Sequence, residues 1–342
     1  MIDAGCTTAK SGWLPQFITL WREIAGEKTL CGAVPLYLKN HSYGEYIFDW
    51  AWADAYARAG LDYYPKLAAA VPFTPCGGAR LAVQDEKDRA FLIAAMLELG
   101  HQRGVSSVHV LFPSVAEQGA LVAAGFMART SVQFHWRNAG YKTFDAFLAT
   151  FSHDKRKKLK QERRKVEAAS ITFQRKVGAD ISEADWDFFN ARYRNTYREH
   201  RSTPYLNREF FAMIGERMPQ NVLLVIAERE GKRIAAALNL FDQQTLYGRY
   251  WGTEEFHSGL HFETCYYQAL AFCIERGITI FEGGAQGEHK LARGFLPVQC
   301  HSAHWLKEPR FAKAVEDFLA RERGGVAQYV DELKEHQPYR QT

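Results

Sequence analysis

The chain has 342 residues, of which 47% are hydrophobic and 24% charged, a composition that fits a folded protein with room for two domains and excludes general disorder. Its formal charge of +4 is too small to indicate nucleic acid by itself, so any such argument rests on where the cations sit. Six cysteines without a C-x-x-C pair, and no bilayer-length apolar run, exclude a disulfide scaffold, a zinc module and a membrane span, and make the cytoplasm the expected location.

In chain order, Trp13 to Trp21 and Leu30 to Leu38 read as a strand hairpin turning at Gly26, followed by the aromatic and polar segment His41-Ser-Tyr-Gly-Glu-Tyr-Ile-Phe-Asp-Trp50. A short helix over Trp52 to Ala59 ends at Gly60, and prolines 65, 72 and 75 punctuate a loop. Arg80 to Val83, Ser107 to Phe112 and Ser131 to Trp136 alternate as strands, with helices over Lys87 to Arg103 and Val115 to Ala124 between them.

The segment Phe144 to Val166 carries apolar residues at helical spacing and eight cations on the remaining faces, the pattern of one basic amphipathic helix. A further helix spans Asp185 to Tyr197. Val222 to Ala227, Arg233 to Phe241 and Leu246 to Trp251 read as strands, Phe262 to Arg276 as a helix and Ile278 to Glu282 as a strand. Two helices, Arg310 to Arg323 and Val326 to His336, close the chain.

The two halves share landmarks in one order: Gly104-Val105 matches Gly277-Ile278, Gly125-Phe126 matches Gly294-Phe295, and His135-Trp136 matches His304-Trp305. From Phe to Trp the spacing is ten residues in both. This predicts two copies of one mixed α/β unit.

The stretch Glu282-Gly-Gly-Ala-Gln-Gly-Glu-His-Lys290, continuing to Arg293-Gly-Phe295, gathers glycines and ionisable side chains in a loop that cannot build a core, which points to a site. The first half has no counterpart of Glu282, His289, Lys290 and Arg293, so these four are the candidate catalytic residues. Walker A, G-x-S-x-G and H-E-x-x-H signatures are missing, and no histidine or carboxylate spacing fits a metal template, so no metal or cofactor is expected.

The element order resembles a Gcn5-related N-acetyltransferase fold occurring twice, and two such halves joined by a basic segment resemble the Fem-type transferases, which add amino acids from aminoacyl-tRNA to peptidoglycan precursors. More closely, the chain resembles the FemAB-like family of predicted N-acyltransferases. The matching stretches are Pro35 to Lys39, His41 to Tyr46, Phe48-Asp-Trp50, Pro72 to Pro75, Leu260 to Tyr267, Glu282 to Lys290, Arg293-Gly-Phe295 and Ser302 to Trp305. The resemblance implies a tandem Fem-type fold, with one acetyltransferase-like domain over 1–140 and a second over 141–342 that opens with the basic helix. Family members carry an amphipathic helix ahead of the segment matching Ser11-Gly-Trp13, and the chain begins too late to include one.

An acyl-CoA enzyme of this fold needs a glycine-rich turn before a helix to hold the pyrophosphate, and neither Gln84 to Asp88 nor Glu254 to His261 supplies it. The expected donor is therefore aminoacyl-tRNA, held by Lys155, Arg156, Lys157, Lys160, Arg163 and Arg164, and the acceptor is an amine of a cell-wall precursor or related small molecule. The rival readings are an acyl-CoA-dependent N-acyltransferase and a non-catalytic module recognising peptidoglycan or nucleotide-sugar. For transfer, Lys290 and Arg293 are expected to contact the oxyanion or phosphate, and His289 or Glu282 to take the amine proton. Lys39, His41, Tyr43, Asp49, Trp50, Arg249, Tyr250, Trp251, His261, Glu263 and Tyr267 are expected to line the substrate site, with Glu45 beside them.

Overall fold

The computed structural model describes residues 1–285 and 287–340; Gln286, inside the glycine-rich loop, lies outside the described residues. The first half contributes strands β1 (Leu14–Pro15), β2 (Ile18–Ile24), β3 (Glu27–Val34), β4 (Leu36–Lys39), β5 (Lys66–Ala69), β6 (Ala82–Val83), β7 (Ser107–Leu111) and β8 (Met127–Arg137). The second contributes β9 (Ile171–Val177), β10 (Val222–Arg229), β11 (Lys232–Phe241), β12 (Thr245–Thr253), β13 (Ile280–Glu282) and β14 (Leu296–Leu306). Strands β2, β3 and β6 form a small sheet, and the others form one continuous sheet in the order β1-β4-β5-β7-β14-β8-β13-β12-β11-β10-β9.

That order shows an exchange. The closing strand of the second half, β14, pairs with β7 of the first, and β8 of the first half pairs with β13 of the second. The two exchanged strands lie antiparallel to each other, with Ser131 opposite Cys300. These are equivalent positions in the two copies, each five residues past its Gly-Phe pair, so the pseudo-two-fold axis passes between them. The repeat read from the sequence is thus a spatial symmetry, and each half's sheet is completed by a strand of the other.

The apolar run of β10 is buried on both faces. Val222, Leu224 and Ile226 pack against the helices Glu183–Glu199 and Arg208–Arg217, whereas Leu223 and Val225 pack against the helix over 260–276. Ser182 and Ser114 start their helices with capping boxes to Asp185 and Glu117, which satisfies amide groups the helix cannot pair itself.

Three expected elements change. The basic segment is two helices, Phe144–Ala149 and His153–Ala168, because Phe151 is buried and pairs with Tyr339, while the Ser152 amide donates to Pro338 O. The two C-terminal helices are one, Pro309–Glu335, which runs through Gly324-Gly325 because Val315 and Leu319 anchor it on one side and Val330 and Leu333 on the other. Lys66–Ala69, read as loop between prolines, is the buried strand β5 between β4 and β7. Among the described residues no helix is long and apolar enough to cross a membrane.

Candidate active site

The glycine-rich loop leaves the sheet where two parallel strands part. β12 pairs with β13 only from Thr245↔Ile280 to Tyr247↔Glu282, and β12 then runs on to Thr253 without that neighbour. At the point of parting the register of β12 on β11 jumps from Tyr250↔Leu238 to Gly248↔Asn239, so Arg249 is the extra residue of a β-bulge. The result is a slot at the edge of the paired segment, walled by Gly248, Arg249 and Gly283.

Because strand side chains alternate, successive residues of β13 face opposite mouths of this slot. Phe281 turns into the core against Phe295, with ring centroids 5.0 Å apart. Glu282 turns the other way, towards Arg249 and the first-half segment Cys76 to Arg80. That segment is fixed by Arg80 donating to Cys76 O at 2.6 Å, and it is tied to β12 by Arg249 and Tyr250, which donate to Phe73 O at 2.6 and 3.0 Å. Burial pushes the Glu282 carboxyl up to about 7, a shift that Arg249, a Gly77 amide and Arg80 oppose without cancelling. Its Oε2 is buried and has no hydrogen-bond partner among the described residues.

On this same side a recess of about 290 Å³ between the halves is lined by Ser42, Tyr43, Phe48, Trp50, Tyr205 and Ala285 of the loop. Tyr43 and Trp50 are 58% and 40% exposed with rings 5.0 Å apart, and His41 packs on Tyr43 at 5.3 Å. Large aromatic faces left open beside a loop suit the flat faces of a sugar or peptide.

Lys39 and Asp49, expected in the same group, are instead buried beneath it. Lys66 donates to Ser42 Oγ and Glu45 Oε2, both at 2.8 Å, and to Asp49, while Tyr63 donates to Asp49 at 2.6 Å. The network continues through Tyr63 to His109 at 3.2 Å and from His109 to His304 at 2.7 Å. Lys39 lies 3.6 Å over the Trp13 ring and donates to Tyr43 O. These groups hold the His41 to Trp50 segment from below because burial demands that every charge find a partner.

The other mouth opens under the helix over 260–276, whose Glu263–Tyr267 segment is a π-helical turn, a local widening frequent at functional sites. Trp251 and His261 meet here with ring centroids 4.6 Å apart, and burial pushes His261 down to about 4, so its imidazole is neutral. His289 is exposed and lies 3.2 Å from the Tyr266 hydroxyl. Lys290 is 2% exposed, donates to Gly284 O at 2.9 Å and is pushed down to about 8 by burial.

The four loop candidates therefore divide, Glu282 at one mouth and the other three at the opposite one. Arg293 is committed to structure: its guanidinium lies 3.2 Å from the Phe262 ring centroid and donates to both Glu162 oxygens at 2.9 Å and to His289 O. We expect Arg293→Ala to lower stability by roughly 2–3 kcal/mol, read by thermal unfolding, because it leaves Glu162 without its cation. Glu263, Tyr267 and Arg163 also turn inward. Arg163 donates to Glu263 at 2.9 and 3.0 Å, and Tyr267 donates to Glu162 at 2.6 Å, so all three are engaged with one another or with Glu162, Arg163 keeping part of its side chain exposed.

These same contacts fasten the basic helix His153–Ala168 beside the second mouth. Lys155, Lys157, Lys160 and Arg164 are exposed, Arg156 is partly so, and none forms an ion pair among the described residues. Two residues that the sequence reading passed over also belong here. Asn239 is the one polar side chain within the apolar run Ile234 to Leu240, a visible signal, and Tyr266 lies within the matched stretch Leu260 to Tyr267 beside the expected Tyr267. Both line the slot.

A family model described as FemAB-like, peptidoglycan biosynthesis/recognition, matches residues 1–341. No match is found among curated proteins. Among solved structures, FemX aligns at 11% identity with a TM-score of 0.55, covering 92% of this chain and 93% of that one. The C-terminal domain of a putative lysylphosphatidylglycerol synthetase from Agrobacterium fabrum aligns at 12% with a TM-score of 0.53, covering 74% and 81%. L-PGS from Bacillus licheniformis aligns at 12% with a TM-score of 0.50, covering 74% and 82%. At such identities the likeness is one of fold.

Proposed function

The chain belongs to the FemAB-like family and has a tandem acetyltransferase-like fold, and from that premise we propose that it is an acyltransferase that joins an aminoacyl group from aminoacyl-tRNA to an amine of a cell-wall precursor or related small molecule. The observation that carries this reading is the Glu282 carboxyl, whose buried Oε2 has no partner among the described residues and which burial raises to about 7, at the point where β12 and β13 part. The acceptor enters through the aromatic recess between the halves. The donor ester enters beneath the helix over 260–276, beside the basic helix.

In the slot the acceptor nitrogen attacks the ester carbon. The N–C bond forms, the C–O bond to the ribose breaks, and the amine proton passes to the ionised Glu282, which returns it to the departing ribose oxygen. Because the ester is already activated, the protein has only to orient the amine, remove its proton and stabilise the oxyanion. Lys290, whose chain lies against Gly283, and Arg249, which walls the slot, are the cations available to that charge.

Incubating the protein separately with aminoacyl-tRNAs and acyl-CoAs, in the presence of cell-wall precursors, tests the reading through the mass of the product. An amide formed only from acyl-CoA would replace the donor assignment. The exposed cations of the basic helix support a polyanionic donor. Charge reversal at Arg156, Lys157 and Lys160 is expected to weaken tRNA binding and to flatten its dependence on log salt by about 2–3 units of slope. Unchanged binding in a salt titration would make that helix a solvated face.

A further inference from the structure

At the second mouth the slot widens into a cavity of about 100 Å³ lined by Ala237, Asn239, Gly248, Trp251, Tyr266 and Phe281 among others. Two features mark it as built for an occupant. Asn239 is 1% exposed, and its Nδ2 is buried without a hydrogen-bond partner among the described residues, although an unpaired buried amide costs about 1–3 kcal/mol. It also breaks an otherwise apolar strand, Ile234 to Leu240, where a leucine would pack without that cost. Gly248 opposite it has no side chain, and a Cβ there would stand 3.1 Å from the Phe281 ring and fill part of the space.

We infer that this cavity receives the side chain of the transferred aminoacyl group, and that Asn239 selects a small side chain bearing a hydrogen-bond acceptor, with seryl as the type. The inference rests on the acyl-transfer reading. The size limit follows from the volume: a cavity of roughly 150 Å³ just holds benzene, so about 100 Å³ admits a hydroxymethyl or methyl group and excludes leucyl and tryptophyl. The polarity follows from the donor that Asn239 presents. Of the other polar groups around the cavity, Tyr266 is engaged with His289, and Arg249 and Tyr250 with Phe73 O, so the unpartnered Asn239 amide, with the neutral His261 imidazole across the cavity, meets a ligand oxygen.

The test uses the full chain with 3′-amido-3′-deoxyadenosines carrying seryl, alanyl, leucyl or tryptophyl groups, stable analogues of the donor's end. Calorimetry is expected to give seryl binding about fivefold to tenfold tighter than alanyl, one hydrogen bond's worth, with no binding of leucyl or tryptophyl analogues. Asn239→Leu should remove the seryl preference, and Gly248→Ala should weaken seryl and alanyl binding at least tenfold, with circular dichroism confirming that both variants are folded. Equal binding of seryl and tryptophyl analogues, or a seryl preference retained in Asn239→Leu, overturns the inference and leaves the acyl-transfer reading standing. If no adenosine analogue binds, serinamide and leucinamide alone decide. A shift of the Asn239 side-chain NH2 resonance by serinamide only keeps the pocket and sinks the tRNA donor, and no shift by either sinks the pocket.

Discussion

Glu282→Gln is expected to lower turnover by about 10²–10⁴-fold, the usual contribution of a positioned general base, while the fold persists. The amide has the shape of the carboxyl but cannot accept the amine proton. In the wild type, kcat/KM should rise with pH through about 7 as Glu282 ionises, and the variant should lose that limb. Stability moves in the opposite sense. A carboxyl whose folded pKa lies above its unfolded value stabilises the fold fully only at pH below the unfolded value, and that contribution is lost as pH rises towards about 7. Glu282→Gln, which never ionises, should therefore gain on the wild type between about pH 4.5 and 7, by up to about 3 kcal/mol, and the difference should level off above that. Thermal unfolding across this range, paired with the pH–rate profile, separates a catalytic carboxyl from a structural one. A variant with the wild-type rate would remove Glu282 from the mechanism.

Lys66→Met is expected to lower stability by about 3–5 kcal/mol, the cost of stranding buried carboxylates. Although burial alone would raise the Asp49 carboxyl, Lys66 holds it below the ordinary range, so it is charged and depends on that ammonium, the buried His109 being neutral. Burial raises Glu45, which shares the same cation. Met keeps the length of the side chain and removes only the charge. Adding Glu45→Gln and Asp49→Asn should recover part of the loss, because the only charge then left in the network is that of Lys39, which burial pushes down to about 7 and which can shed its proton. Denaturant unfolding of the single and triple variants checks both steps. A single variant as stable as the wild type would mean that the network is wet or already neutral.

The loop was legible because its residue types conflict with its position: glycines and ionisable groups have no reason to lie together after an apolar strand. Glu282 stood out for that reason, and so did the aromatic run from His41 to Trp50. What the pattern hid was direction. Arg293, Glu263 and Tyr267 carry groups that suit a substrate, yet each is spent on Glu162 or Arg163 of the basic helix, more than 90 residues away in sequence. Arg163 looked like its neighbours on that helix, and only the Glu263 carboxylate opposite distinguishes it from the free cations around it.

The sequence by itself determined the duplication, most of the strands and helices and the chemistry-bearing loop, because periodicity, glycine stops and repeated landmarks are properties of neighbouring residues. Tertiary structure alone decided how the two copies join and which side chains are free. The exchange of β8 and β14 gives no local signal, since a strand alternates identically whichever sheet it completes. The burial of Lys66, Asp49 and Asn239, and the parting of β12 from β13 that separates Glu282 from Lys290, depend on what lies across the sheet. That is set by distant segments packing together, and no stretch of chain records it.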